Sequence, residues 1–329
     1  MRRVKIAGLA TYVPPRVLTN ADLERMVETS DEWILQRTGI RERHIVDPGV
    51  ATSDLAKEAA LCALRQAGLI PDQIGFIVVG TTTPDTIFPS TACTLQHKIG
   101  AHKAWGFDLG AACSGFTYSL TVGMQMVASG AHDHALVVGA DVMSSIIDYT
   151  DRTTCVLCGD GAGAVILAPA GEDEPAILGF AHEIDGSGGP ALCMPAGGSR
   201  LPASHETVDK RLHYVKQDGQ TVFKFAVRKT EEICRRVLDQ FGYTTDDIDL
   251  FVSHQANRRI IQAAADRLNL PDSKVVINLE RFGNTTGATI PLALADAVRE
   301  RRLKKGDMVL LTSVGAGFTV GAVLLRWSL

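Results

Sequence analysis

Short apolar runs rich in Val, Ile and Leu punctuate the chain at regular intervals. They read as strands at "VKIAGLATYVP" (4–14), "GFIVVGTT" (75–82), "HALVVGAD" (134–141) and "GAVILAPA" (163–170). Later runs are "IDLFVSH" (248–254), "VVINL" (275–279), "DMVLLTSVGAG" (307–317) and "GAVLLRW" (321–327). Between them apolar positions recur every three or four residues, which predicts helices over 53–68, 113–130, 222–242 and 285–303. Strands that alternate with helices imply an α/β fold with largely parallel sheets.

The pattern runs twice. "ALRQAGLIPDQIGFIVVG" (63–80) resembles "VLDQFGYTTDDIDLFVSH" (237–254) at an offset of 174. Both read helix, Gly, turn, Asp-x-Ile, strand. "FDLGAACSGFTYSL" (107–120) parallels "INLERFGNTTGATIPL" (277–292) at an offset of about 170, and "ALVVGAD" parallels "VLLTSVG". A period this long indicates a duplicated domain rather than a solenoid. The halves divide in "APAGEDEPA", giving units 1–172 and 173–329 that form one compact body. Equivalent turns of the two halves are expected to meet near a pseudo-two-fold axis. Cys113 then faces His254 and Asn284, with Asn284 within one residue of the position matching Cys113.

Composition narrows the reading. A chain of 329 residues with 46% hydrophobic and 21% charged residues can bury a large core. A net charge of −4 carries no nucleic-acid signature. No apolar run reaches the ~18 residues of a membrane span. "MRRVKIAGLATYVPP" reads as a first strand, not a signal peptide, and seven cysteines do not form a disulfide framework. A cytoplasmic protein is expected.

Cys113 follows an apolar strand, opens a helix and is flanked by small residues. That is a nucleophile-elbow pattern, in which a tight turn projects the side chain. The helix N-terminus is expected to favour thiolate, and the Cys113 N–H can help bind an oxyanion. The plainer reading is that the small residues serve close helix–sheet packing. His254 stands at a strand end, where α/β proteins place ligands; Asn284 in "RFGNTTGAT" also suits an ordinary turn. The irregular segment 186–219 is too long for a connector and reads as a functional loop or lid. Three motifs are decoys. Cys155 and Cys158 form C-x-x-C without a second pair to complete a zinc site. "GDGAGA" (159–164) fits the loose dinucleotide pattern but leads into a strand. "HDH" (132–134) sits in a turn. No metal site is expected.

Taken together, "TSDEWILQRTGIRERH" (29–44), "DLGAACSGF" (108–116), "DRTTCVLCGDGAGA" (151–164), "SHQANRRI" (253–260), "FGNTTGAT" (282–289) and "GAGFTVG" (315–321) resemble the β-ketoacyl-[acyl-carrier-protein] synthase III family. The resemblance covers essentially the whole chain. It implies the thiolase fold, a duplicated five-layer αβαβα architecture, and a homodimer. It implies a decarboxylating condensation of a short acyl-CoA, acetyl-CoA by expectation, with malonyl-acyl-carrier protein, which initiates type II fatty-acid synthesis. No cofactor beyond these substrates is implied.

The resemblance assigns a triad to Cys113, His254 and Asn284, with an oxyanion hole from the N–H groups of Cys113 and Ala316. It implies CoA binding by Trp33 and Arg152 on either face of the adenine, with Thr29 and Arg37 nearby and Gly219 and Asn257 along the pantetheine channel. Lys224, Arg259 and Arg267 would dock the acidic carrier protein, with Arg258 and Arg228 adding charge. Asp266 departs from relatives that carry a basic residue there. Phe88 would cross the dimer interface and close the partner's acyl pocket; otherwise it is a core Phe. Two other readings compete: a relative that passes the Cys113 acyl group to a different acceptor, and a non-catalytic subunit, against which the intact triad argues. Thiolase itself needs a second cysteine that "TSVGAGF" lacks.

Overall fold

A computed structural model describes residues 1–329. The first sheet has strand order Arg3–Tyr12, Gly161–Ala170, Ala135–Asp141, Phe76–Gly80, Trp105–Leu109. The second runs Ile177–Ile184, Thr319–Arg326, Met308–Gly315, Leu250–Ser253. Strand for strand the second repeats the first, with parallel pairs at one side and antiparallel pairs at the other. The counterpart of Trp105–Leu109 has shrunk to a single bridge between Val275 and Phe251.

The helices Gly115–Ala128 and Thr289–Arg299 pack between the sheets. Thr52–Ala67 and Thr91–Ile99 cover the outside of the first sheet, and Gly219–Phe241 and Arg258–Arg267 the outside of the second. This is the five-layer αβαβα fold. The core divides accordingly. Phe116, Leu120, Ile290 and Leu294 meet Val137, Val165, Val309 and Val323 in the central layer. Leu136 and Val138 point the other way, into the core under Thr52–Ala67. A strand buried on both faces shows no polar alternation, which is why "ALVVGAD" reads as one continuous apolar run.

The repeated helix–Gly–turn–strand plan has a local cause. Gly68 and Gly242 end their helices in the left-handed region, at φ 68° and 74°, where glycine is unhindered. Short 3-10 turns, Pro71–Gln73 and Thr245–Asp247, then lead into the strands.

Some expectations are corrected. "VVINL" is not a strand: after the Val275 bridge the chain turns into the short helix Leu279–Phe282. The strand expected before Cys113 is Trp105–Leu109. The strand Ile177–Ile184 and the helices Asp31–Thr38, Thr91–Ile99 and Arg258–Arg267 escape the hydrophobic pattern. They are an edge strand and half-covered helices whose solvent-facing residues blur the period. Cys155 and Cys158 lie in and after a turn and are buried beside Leu23, Ile34 and Ile45. Gly161 opens a strand, as the rejection of a dinucleotide fingerprint requires. The 186–219 segment has structure of its own: the two-residue pairing of Leu192–Cys193 with Lys216–Gln217 and the helix His205–Asp209. Arg211 fastens it, donating to Asp148 at 2.8 and 2.5 Å. No helix is long and apolar enough to cross a membrane.

Candidate active site

Two elbows meet at the centre of the molecule. In the first half, the chain leaves Trp105–Leu109, turns through Ala112–Ser114 and enters Gly115–Ala128. In the second, it turns through Thr286–Ala288 and enters Thr289–Arg299. Ala112 (φ 46°) and Thr286 (φ 50°) both occupy the left-handed region, an uncommon conformation outside glycine. They stand 174 residues apart, so the structural counterpart of Cys113 is Gly287. This corrects the sequence match of Cys113 with Asn284. The strand positions before the elbows, Gly106 and Val275, correspond at 169, and the second half therefore has five more residues in between. The helix Leu279–Phe282, Gly283 and Asn284 occupy this longer connection.

Cys113 is half-buried. Its thiol is pushed up to about 12, first by burial and then by the Asp141 carboxylate; its own backbone N–H opposes them and is outweighed. The resting group is the thiol, not the thiolate expected from a helix N-terminus alone. Beside it runs the turn after Gly315. A Cβ at Gly315 would lie 2.8 Å from the Cys113 nitrogen, so only glycine leaves that N–H open. The Thr319 hydroxyl fastens turn to elbow, donating to Ala111 O at 2.9 Å, while Ser114 Oγ donates to Thr319 O at 3.2 Å. Ala316 lies in this turn, next to Gly315.

His254 follows Leu250–Ser253, and its backbone N–H donates to Thr312 O at 2.8 Å. Its Nδ1 is 2.7 Å from Thr289 Oγ1, and its Nε2 is buried without a partner. Burial pushes the imidazole down to about 3, so it is neutral at physiological pH. Asn284 is held by its backbone: its N–H donates to Leu157 O at 2.8 Å and its carbonyl accepts from Gly159 N–H at 3.1 Å. Its Oδ1 accepts the Thr286 N–H at 2.9 Å, which leaves Nδ2 as the side chain's donor.

Among the residues implied for CoA, Trp33 lies on Asp31–Thr38, whose Ser30 cap accepts the Trp33 N–H. The Arg152 and Arg37 guanidinium carbons sit 5.3 and 5.8 Å from the Trp33 ring centroid. Arg152 also donates to Glu28 O at 2.9 Å, next to Thr29, whose hydroxyl oxygen is buried and unpartnered. Arg152 thus rests against the Trp33 ring, and a base stacked between them must displace it outward. Asn257 is tied down: Nδ2 donates to Arg37 O and Oδ1 caps the Arg259 N–H. Gly219 opens the helix that Asp218 caps, and no bond joins it to the Trp33 group.

The basic residues divide into two sets. Lys224, Arg258 and Arg259 are exposed and pair with no carboxylate; Arg259 stacks over Phe223 at 5.5 Å. Arg267 is paired with Glu231 at 3.2 Å and Arg228 with Glu232 at 3.0 Å. Phe88 is 84% exposed, which overturns the reading of a core Phe. Thr289, Thr319 and Asp141 were not singled out from the sequence. A signal existed for Asp141: the match of "ALVVGAD" to "VLLTSVG" sets it opposite Gly315.

Residues 107–186 match the family described as 3-oxoacyl-[acyl-carrier-protein] synthase III, and residues 238–327 match its C-terminal family. Two relatives named beta-ketoacyl-[acyl-carrier-protein] synthase III align end to end. The one from Solibacter usitatus is 58% identical and covers 100% of both chains. The one from Koribacter versatilis is 57% identical, covering 100% of this chain and 99% of its own. The crystal structure of 3-oxoacyl-[acyl-carrier-protein] synthase III from Aquifex aeolicus superposes with a TM-score of 0.91 at 43% identity, covering 98% and 100% of the two chains.

Proposed function

Since the chain belongs to the β-ketoacyl-[acyl-carrier-protein] synthase III family of condensing acyltransferases, we propose that Cys113, His254 and Asn284 perform its two half-reactions. The primer is acetyl-CoA, the extender malonyl-acyl-carrier protein, and the product starts fatty-acid synthesis. Cys113 sulfur attacks the acyl-CoA carbonyl. The carbon–sulfur bond to CoA breaks, and CoA leaves as the thiol with the proton that Cys113 gives up. The N–H groups of Cys113 and Ala316 hold the oxygen while it is negative.

Malonyl-carrier protein then takes the place of CoA. Its carboxylate departs as CO₂, and the bonding pair becomes an enolate on the thioester. His254 Nε2–H and Asn284 Nδ2–H donate to that oxygen. The carbanion attacks acyl-Cys113, expels the sulfur as thiolate and forms 3-ketoacyl-carrier protein; the thiolate takes a proton from solvent and returns to the thiol. The electrons of the broken bond enter the new carbon–carbon bond, so the chemistry calls for no redox partner. A neutral imidazole suits this work: it gives a hydrogen bond to charge that exists only in the transition state, and no proton.

One observation carries the assignment. Each of the two side chains has one polar atom committed to the same elbow, Asn284 Oδ1 to the Thr286 N–H and His254 Nδ1 to the Thr289 hydroxyl. The Thr289 hydroxyl has one hydrogen and lies 2.7 Å from His254 Nδ1 and 3.0 Å from the Thr286 carbonyl; turned to Nδ1, it leaves the ring proton on Nε2. Around this centre we assign CoA to Thr29, Trp33, Arg37, Arg152, Gly219 and Asn257, and carrier-protein docking to Lys224, Arg259 and Arg267. The halves 1–172 and 173–329 share the central core and act as one unit. The exposed Ile87, Phe88 and Trp105 lie on or beside the open edge of the first sheet and support a homodimer in which Phe88 closes the partner's acyl pocket. A cytoplasmic location fits these substrates.

The test is intact-protein mass after mixing with a panel of acyl-CoAs, followed by malonyl-carrier protein. One acyl group on Cys113 that leaves as 3-ketoacyl-carrier protein with CO₂ is the expected result. Acylation without reaction in the malonyl chase would point to a different acceptor.

A further inference from the structure

The two elbows have the same backbone and opposite surroundings. Asp141 ends Ala135–Asp141 at the position where Gly315 ends Met308–Gly315, because Phe76 pairs with Ala135 as Leu250 pairs with Val309. At Gly315 the missing side chain leaves the Cys113 N–H open. At Asp141 a side chain is present, fully buried, and its Oδ2 accepts the Gly287 N–H at 3.0 Å. A carboxylate oxygen in the second half therefore stands where the substrate oxygen stands in the first.

That contact reaches the reacting groups through one rigid unit. The Gly287 N–H and the Thr286 carbonyl are the two ends of a single planar peptide. Its N–H is gripped by Asp141. Its carbonyl lies 3.0 Å from Thr289 Oγ1 and competes with His254 Nδ1, at 2.7 Å, for that hydroxyl's one hydrogen, so the place of the peptide bears on which of the two Thr289 serves. On the other side of Thr286, its N–H donates to Asn284 Oδ1. Thr286 is a β-branched residue at φ 50°, a conformation that persists only where neighbours impose it. Asp141 is itself fixed: Oδ1 accepts from the Thr81, Thr82 and Thr83 hydroxyls at 3.0, 3.1 and 2.9 Å and from the Thr82 N–H at 2.8 Å.

We propose that Asp141 is a positioning residue for the decarboxylation half-reaction: it fills the unused oxyanion hole of the second half and clamps the Thr286–Gly287 peptide that orients both His254 and Asn284. The proposal rests on the roles assigned to His254 and Asn284 above. It separates the half-reactions, because acylation depends on the open elbow and decarboxylation on the clamped one.

The test is Asp141→Asn, with the half-reactions measured apart. An amide at this position must turn an NH₂ either on the Gly287 N–H or on the threonine donors. Cys113 acylation by acetyl-CoA should hold or rise, because losing the Asp141 charge eases deprotonation of the thiol. The decarboxylation kcat should fall about a hundredfold, the scale of a small misplacement of reacting groups, with KM for malonyl-carrier protein within twofold. Thr81→Val loosens the same carboxylate from its far side and should give the same split in milder form, about fivefold. It carries the test should Asp141→Asn not fold. Decarboxylation within twofold of wild type in a folded variant overturns the proposal, as does an equal loss of both half-reactions. A wild-type enzyme that acylates at Cys113 but does not decarboxylate malonyl-carrier protein overturns the reading of His254 and Asn284 and this proposal with it.

Discussion

The Cys113 thiol keeps its proton because both of its strongest neighbours, the apolar surround and the Asp141 carboxylate, oppose a thiolate. With the thiol held near 12, the thiolate fraction grows about tenfold for each pH unit throughout the neutral range. Alkylation of Cys113 by iodoacetamide should therefore rise steadily from pH 6 to pH 9. A plateau near pH 7 would mean a preformed thiolate and would refute this account. His254 titrates far below that range, so decarboxylation should show no histidine step between pH 5 and pH 8. Thr289 sets which ring nitrogen carries the proton. Thr289→Val should lower the decarboxylation kcat by about tenfold or more, within the range for a positioned hydrogen-bonding group. Thr289→Ser should restore it, and acylation should be spared in both. Equal activity of the valine and serine variants would remove Thr289 from this role.

At the scale of elements, the docking proposed above puts a carrier protein on the exposed basic residues of the helices Gly219–Phe241 and Arg258–Arg267. A free guanidinium gains a full ion pair on docking, whereas one already paired exchanges one carboxylate for another. Arg259→Gln should raise KM for malonyl-carrier protein about fivefold at ~0.15 M salt, where distant charges are screened. Arg267→Gln, which releases Glu231, should change it less than twofold. Steady-state kinetics with varied carrier protein decides; equal effects would put the two arginines in the same contact.

The element scale also shows what pattern reading reaches. The duplication, the four main helices and both elbows were legible because buried strands and long helices repeat their apolar period in each half. The longer connection before the second elbow was not legible. "INLERFG" begins like "FDLGAACS", so the eye keeps an offset near 170 through Asn284, whereas the backbone has moved to 174 by Thr286. Asn284 was singled out all the same, through a match that does not hold in space. Asp141 and Thr289 stayed unseen for a different reason. Each acts through a hydrogen bond between distant segments, and no local periodicity encodes such a partner.

At the scale of the whole molecule, the first sheet ends in an open edge. Trp105–Leu109 pairs only with Phe76–Gly80, and Trp105 remains 50% exposed. Its ring packs edge-on against Phe76, at 5.0 Å between centroids, and its Nε1–H donates to His132 at 2.9 Å, so the indole is held in place. A rigid apolar edge with unpaired backbone groups is a surface for strand addition by a second chain. The second sheet has no such edge strand, since its counterpart is the single Val275 bridge. In the homodimer proposed above, two copies of this edge would pair about a two-fold axis and close the assembly. Phe107→Asp puts a charge on that edge and should convert the dimer to a monomer in sedimentation equilibrium. The monomer should still alkylate at Cys113, because both elbows lie inside one chain. It should lose primer discrimination, because Phe88 no longer closes a neighbour's pocket: the ratio of acetyl to longer acyl-CoA transfer should fall several-fold. A Phe107→Asp monomer that keeps the wild-type ratio would show that the acyl pocket is complete within a single chain.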